Sequence, residues 1–322
     1  MKTQKRALLI AGGGTLGTYA TKELLDRGHL VDVICLEDRV SEDPRLRFFT
    51  AYATEEYLAD LFEKQHYDGI INFLHYKDAE DFKRAYPLLM KGADHLIFLS
   101  SYRTYADEMH PITEEAPRLL DVVRDSEFLE KEDYALPKAR CEDFLRNMHA
   151  GENWTIVRPV ISFSALRLDL FMYSRHRVPQ AALEGTPVIM PAFAKKLTAG
   201  LDWAGNSGKL IARLLFNPWA YGQTYTISTG QNLTWEQVAQ IYTKLTGVEI
   251  RWESEAAFLE AHPMKTLQQN WAYVYDRKFD RTVDASKVLR DTGTRPEEIT
   301  PIEEGLRIEL ARAGYGNERF KK

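Results

Sequence analysis

Cysteine is nearly absent: the 322-residue chain has two, Cys35 and Cys141, far apart and in no Cys-x-x-Cys pattern. Their scarcity argues against a disulfide scaffold and against a cysteine zinc site. The eight histidines form no His-Glu-x-x-His and no pair four residues apart, so no metal is expected. No stretch approaches eighteen apolar residues, which removes a membrane-spanning helix from the expectations. Lys2, Lys5 and Arg6 precede the apolar run at 7–11, but that run is too short for a secretory core and Gly12-Gly13-Gly14 ends it at once. The cytoplasm is therefore the expected compartment. Charge of one sign is also scarce: 42 basic and 47 acidic side chains give a net −5, no electrostatic footprint for nucleic acid. No internal repeat or low-complexity tract is visible.

What is present is ordinary in amount and specific in order. With 44% apolar, 11% aromatic and 28% charged residues the chain can build a substantial core, and its length allows two domains. The first half alternates short apolar runs with amphipathic segments, the pattern of a parallel sheet covered by helices. Strands are predicted at 7–11, 30–36, 47–51, 69–74, 95–101 and 155–158, and one more at 225–228. The spacing predicts helices over 15–27 with Gly28 as its C′ residue, from Thr54 to about Gln65, and near 78–91. A long polar stretch, 102–132, precedes a helix starting near Tyr134. Beyond about residue 165 the alternation breaks down, and 185–200 has a loop-like composition. A helix is expected to start at Asn206, and Thr234-Trp235-Glu236-Gln237 and Thr300-Pro301-Ile302-Glu303 both fit the capping box.

Gly12-x-Gly14-x-x-Gly17 falls between the first strand and the first helix. In a dinucleotide-binding loop Gly12 permits the tight turn, Gly14 lets the backbone approach a pyrophosphate, and Gly17 lets helix pack closely on strand. Phosphates would meet the helix N-terminus at Gly14, Thr15, Leu16 and Gly17. Glu37, 20 residues after Gly17, is the nearest carboxylate for the ribose hydroxyls and would favour NAD; Arg39 would instead pair with the 2′-phosphate of NADP. Glu37 as a plain solvated acid is the alternative. Phe73 and Leu74, ending the fourth strand, complete the expected cofactor set.

Tyr134-Ala-Leu-Pro-Lys138 is the only Tyr-x-x-x-Lys in the chain. Tyr134 and Lys138 share one helix face, and Pro137 is tolerable there only in the first turn. The preceding strand ends in Ser100-Ser101, at the carboxyl edge where chemistry collects in doubly wound sheets. With these residues in view, the chain resembles the NAD-dependent epimerase/dehydratase family, the extended short-chain dehydrogenase/reductases. The resemblance runs from the glycine loop through LIFLSSYRTYADEMHPITEEAP, DYALPKARCEDFL and TIVRP to the Thr300–Leu306 segment, all in family order. It implies a Rossmann-type doubly wound parallel sheet, at 1–164 plus about 201–230, with a smaller C-terminal α/β substrate-binding domain at about 165–200 and 231–322. It also implies Tyr134 as the acid/base, Lys138 as the cation that stabilises its phenolate and holds the nicotinamide ribose, and Ser101 as the group orienting the substrate oxygen. Hydride would pass between a small-molecule substrate, such as a nucleotide sugar, and NAD, or NADP. A homodimer is compatible with that family.

Several positions depart from the family pattern. Ala11 stands where relatives carry a first glycine, and Tyr52 where an aspartate contacts adenine. Tyr102-Arg103 follow Ser101 in place of the Asp-Glu pair of dehydratases, so water elimination is not expected. Ile161 replaces an asparagine that binds the nucleotide diphosphate. An arginine usual near Ala199-Gly200 is missing, and Gly205-Asn206 replaces an aspartate pair, with Asn206 still able to cap. Lys195, Lys196, Arg175 and Arg177 would be the substitute anion-binding residues, or else a solvated basic surface. The competing readings are a carbonyl reductase or dehydrogenase of a non-nucleotide substrate, and a non-catalytic nucleotide- or RNA-binding relative.

Overall fold

The computed structural model describes residues 3–147 and 153–316. Its centre is a seven-stranded, all-parallel sheet. Six of its strands are β1 (Arg6–Ile10), β2 (Leu30–Cys35), β3 (Leu46–Thr50), β4 (Gly69–Asn72), β5 (Leu96–Leu99) and β6 (Trp154–Pro159). Outside the sheet lie β7 (Ile161–Phe163), β8 (Val188–Pro191) and β9 (Leu201–Trp203); β10 (Gln223–Ile227) returns to it, and β11 (Ile250–Glu253) pairs with β8. The sheet order is β3-β2-β1-β4-β5-β6-β10. Ala7 pairs with Val31 on one side and Gly69 on the other, so β1 is the strand at which the winding reverses. The crevice at the carboxyl ends of β1 and β4 is where such sheets hold ligands.

A parallel sheet wrapped on both faces needs strands that are apolar throughout, and alternate residues serve opposite layers. Leu9, Val31, Val33, Ile71 and Val157 join one core cluster, while Leu8, Ile34, Ile70, Leu96 and Ile156 join the other. A third cluster lies outside the sheet around Phe171, Trp235 and Phe258, with Phe171 edge-on to both at 5.4 and 5.5 Å.

Most expected elements appear within one or two residues. Thr54 accepts from Tyr57 N and opens the Glu55–Lys64 helix, and Gly28 takes a φ of +87° just after the Thr15–Asp26 helix. The Thr234–Gln237 capping box forms as expected.

Three expectations are corrected. The stretch 185–200 is no loop, because it holds β8 and a short 3-10 turn. Asn206 does not cap. The helix starts at Ala204, and Asn206 bonds across to Thr300, donating to its carbonyl and accepting from its N–H at 2.8 and 3.1 Å. Thr300 does not cap the last helix either: no side chain caps the start of Ile302–Arg312, whose first N–H goes to Gln231 Oε1 at 2.9 Å. In both places a partner from a distant segment displaces the local cap. The polar stretch 102–132 also contains a 3-10 turn and two short helices, Leu119–Val122 and Ser126–Lys131. Among the described residues no helix is long and apolar enough to cross a membrane.

Candidate active site

The glycine loop joins β1 to the Thr15–Asp26 helix. A Cβ at Gly17 would lie 2.1 Å from the Gly12 carbonyl oxygen, so only glycine lets the helix seat on the loop. A Cβ at Gly14 would meet nothing within 4 Å: the backbone there faces open space. No side chain caps the helix start at Gly14, which leaves its first N–H groups available to an anion. Gly13, not singled out from sequence, faces the end of β2, where a Cβ would fall 2.6 Å from Glu37 Oε2. Ala11 has a φ of +55°, the left-handed conformation that explains a glycine preference at this position.

Among the described residues three cavities border the loop, and two of them gather residues named from sequence. One, of about 250 Å³, is lined by Gly13, Gly14, Leu36, Glu37, Tyr52 and Leu74. Arg39 sits outside it, donating to the Gly13 carbonyl at 2.8 Å and standing 3.9 Å from Glu37. The second, of about 450 Å³, brings Gly14, Thr15, Leu16, Gly17 and Phe73 to the same space as Ser101 and Tyr134. Gly12 lines neither of these two but borders the third, together with Arg39.

Tyr134 is the residue just before the Ala135–Arg146 helix. Glu132 fixes that start: its buried carboxylate accepts from the N–H groups of Tyr134, Ala135 and Leu136 at 3.1, 3.0 and 2.8 Å. Further along, Glu142 pins the helix to the sheet. It takes two hydrogen bonds from Arg158 on β6, at 2.8 and 2.6 Å, and one from Ser100 at 2.5 Å. Burial alone would raise the Glu142 carboxyl, but the adjacent Arg158 guanidinium overrides it and holds the group below the usual range.

Lys138 lies one turn after Tyr134, buried, its ammonium donating to the Leu99 carbonyl at 2.6 Å and 5.5 Å from the Tyr134 ring centre. It lines neither cavity. Burial pushes the Tyr134 phenol up, yet Lys138, Arg103, the Ser101 hydroxyl as hydrogen-bond partner and Arg167 together bring it below its ordinary value. Burial lowers the Lys138 ammonium in turn. Ser101, Tyr134 and Lys138 are thus gathered, with a phenol biased toward its anion.

Sequence reasoning passed over several neighbours. His75 lies with its ring 5.4 Å from that of Tyr134 and bonds the Asp133 carbonyl at 2.8 Å. Asp276 and Arg277 enter the larger cavity from far along the chain, and Tyr102 donates to Asp276 at 3.0 Å. Burial opposes charge on Asp276, but Arg277, Arg281 and Arg103 outweigh it and keep the carboxyl low. No local motif flags this pair. The four basic residues named from sequence, Arg175, Arg177, Lys195 and Lys196, do not line the cavity; Arg103, Arg167 and Arg277 do. Lys195 instead stands 3.6 Å from Glu236 and over the Trp252 ring.

Fold and site together define a Rossmann-type α/β protein with a Ser–Tyr–Lys cluster at the carboxyl end of β5, whose Ser101 and Tyr134 share a cavity with the glycine loop. No family model matches the chain, and no curated protein matches it. Solved structures do. An epimerase, Mth375, from Methanothermobacter thermautotrophicus superposes with a TM-score of 0.70 at 14% identity, over 96% of this chain and 92% of that one. A UDP-glucose-4-epimerase from Stenotrophomonas maltophila, with bound NAD and formylated UDP-arabinopyranose, gives 0.69 at 15%, over 96% and 98%. TunA, an NAD-dependent NDP-hexosamine 5,6-dehydratase, gives 0.65 at 16%, over 96% and 97%. At these identities the likeness is one of fold.

Proposed function

We propose that the chain is an NAD-dependent oxidoreductase of the epimerase/dehydratase family, acting on a hydroxyl or carbonyl carbon of a small molecule such as a nucleotide sugar. The observation that carries this reading is the Tyr134 phenol, lowered by buried Lys138, in one cavity with Ser101 and the glycine loop. The loop fits a dinucleotide: open space stands over Gly14 and the helix start has no side-chain cap. Gly14, Thr15, Leu16 and Gly17 would hold its pyrophosphate, and Glu37, Leu74 and Phe73 would flank its two ends. The Glu37 carboxylate borders the cavity while Arg39 lies outside it, with one N–H donated to the Gly13 carbonyl, which favours NAD over the 2′-phosphorylated form.

NAD, when bound, supplies reversible hydride acceptance. The side chains supply the rest. Tyr134, as phenolate, takes the proton of the substrate hydroxyl, and as phenol returns it. Ser101 orients the same oxygen. Lys138 holds negative charge on Tyr134 and is itself fixed by Leu99. Water elimination needs a further acid. After Ser101 come Tyr102 and Arg103, and the cavity's Asp276 is held as an ion by arginines, so epimerisation or simple redox chemistry is favoured. The support from known structures is fold likeness to proteins solved with NAD, two of them described as UDP-glucose 4-epimerases.

A thermal-shift panel of NAD, NADP and UDP-sugars tests the reading, since a ligand preferring the folded state raises the melting temperature. NAD should stabilise most among the dinucleotides. No response to either dinucleotide would overturn the proposal.

A further inference from the structure

Arg103, Arg167 and Arg277 line the cavity that holds Tyr134 and Ser101. Two of them are committed elsewhere. Arg277 donates to the Phe171 carbonyl at 2.8 Å and the Tyr102 hydroxyl at 3.0 Å, and pairs with Asp276. Arg167 donates to Asp169 at 2.5 Å.

Arg103 is placed differently. Its Nε is buried and makes no hydrogen bond. The nearest carboxylate oxygens, on Asp276 and Glu132, stand off at 3.6 and 3.9 Å. Both acids are occupied: Glu132 by three backbone N–H groups, Asp276 by Tyr102, Arg277 and Arg281. What holds Arg103 is its own backbone N–H, which donates to Ser101 Oγ at 3.2 Å, and stacking of the guanidinium 4.8 Å from the Tyr134 ring centre. A planar fork of donors is therefore presented beside the reacting phenol with its hydrogen bonds unspent. Such a fork matches the paired oxygens of a carboxylate or phosphate.

We propose that Arg103 receives an oxyanion, and that the substrate carries a carboxylate or phosphate close to the carbon whose hydroxyl Tyr134 handles. The inference rests on the reading of Tyr134 as the proton-handling group and adds the substrate's charge to it. Arg103 then has two partners, the Tyr134 ring and the substrate anion. An anion bound at Arg103 offsets one of the cations acting on Tyr134, so binding and phenol ionisation are linked.

The test is calorimetric titration of the NAD-loaded chain with malonate, and separately with inorganic phosphate, at constant ionic strength. Wild type, Arg103→Gln and Arg103→Lys are compared, with NAD affinity measured on each. Saturable binding is expected for at least one anion, and the arm that binds distinguishes carboxylate from phosphate. Arg103→Gln should weaken it about tenfold, the loss of a charge-assisted hydrogen bond, and Arg103→Lys less. NAD affinity should stay within about twofold, which also reports that the variants fold. In wild type the bound anion should raise the Tyr134 phenolate midpoint, read by ultraviolet absorbance; in Arg103→Gln it should not. No saturable anion binding to wild type, or binding unchanged in Arg103→Gln, overturns the inference. Failure of NAD to bind would instead count against the proposed function, and the Arg103-dependent part of the titration is then read on the free chain.

Discussion

Lys138 donates to the Leu99 carbonyl at 2.6 Å and keeps its buried ammonium 5.5 Å from the centre of the Tyr134 ring. The strand thus fixes the cation, and the cation tunes the phenol. With Lys138 anchored to the sheet and Tyr134 at the helix start, the pair keeps its spacing without depending on a bound ligand. Tyr134→Phe removes only the hydroxyl. It should lower turnover by about 10²–10⁴-fold, the span of general acid–base catalysis, and leave NAD affinity nearly unchanged. Steady-state kinetics on the substrate that the ligand panel selects, beside NAD titration, check this; full activity in the variant would remove Tyr134 from the chemistry.

The Tyr134 phenol lies below its ordinary value despite burial, because Lys138, Arg103 and Ser101 favour the anion. In the oxidation direction the phenolate is the active form, so the rate should rise with pH and level off above a midpoint under 10. Lys138→Met removes the largest favourable charge. The midpoint must then move upward, and activity at neutral pH must fall. Ultraviolet titration of the phenolate, with Tyr134→Phe as the blank, gives the same midpoint without a substrate. An unmoved midpoint would leave Lys138 with a purely structural place.

How far these groups were legible in the sequence depends on how local their causes are. Parallel strands buried on both faces must be apolar runs, so β1, β2, β4 and β5 declared themselves, and the glycine loop between β1 and its helix followed from spacing. Ser101 and Tyr134 were reachable because each sits at an element boundary. The arginines of the cavity were not. Arg103 was noticed only as a missing acid, and Asp276–Arg277 reach Tyr102 across more than 170 positions of chain. Asn206 and Thr300 show the same limit in the helix caps: both have capping chemistry, yet they bond each other across 94 residues and local pattern cannot show it. β7 and β9, three residues each, carry too little periodicity to read.

Gly14 and Gly17 should separate binding from folding. Gly17→Ala places a Cβ 2.1 Å from the Gly12 oxygen and must push loop and helix apart, costing about 1–3 kcal/mol of stability as overpacking does. Gly14→Ala meets no atom within 4 Å, at a φ of −81° that alanine adopts freely, so stability should hold. Its methyl group, however, fills the space over the helix start, and NAD affinity should drop. Urea unfolding and NAD titration on both variants decide it. Equal stability losses would refute the reading of Gly14 as a ligand-facing position.

His95 ties the start of β5 to its neighbours without taking a proton. Its Nδ1 accepts from the Phe216 N–H at 3.2 Å, and Nε2 bonds Thr155 Oγ1 at 2.9 Å, with Thr155 donating onward to the Ala220 carbonyl at 2.5 Å. Burial, with a smaller contribution from Lys5, lowers the imidazole to about 3. The unfolded chain, with histidine near 6.5, therefore binds a proton that the folded chain refuses between those two values. The stability His95 contributes is complete above pH 6.5 and is lost as pH falls toward 3, by about 1.4 kcal/mol for each pH unit. His95→Gln can keep an acceptor for Phe216 and a donor for Thr155, yet it cannot titrate. Its unfolding free energy should be lower than wild type at pH 7 and decline less steeply between pH 6.5 and 4, by close to one proton's worth of slope. Urea midpoints across that range measure the difference, and parallel slopes in the two proteins would mean that His95 is protonated in the folded state.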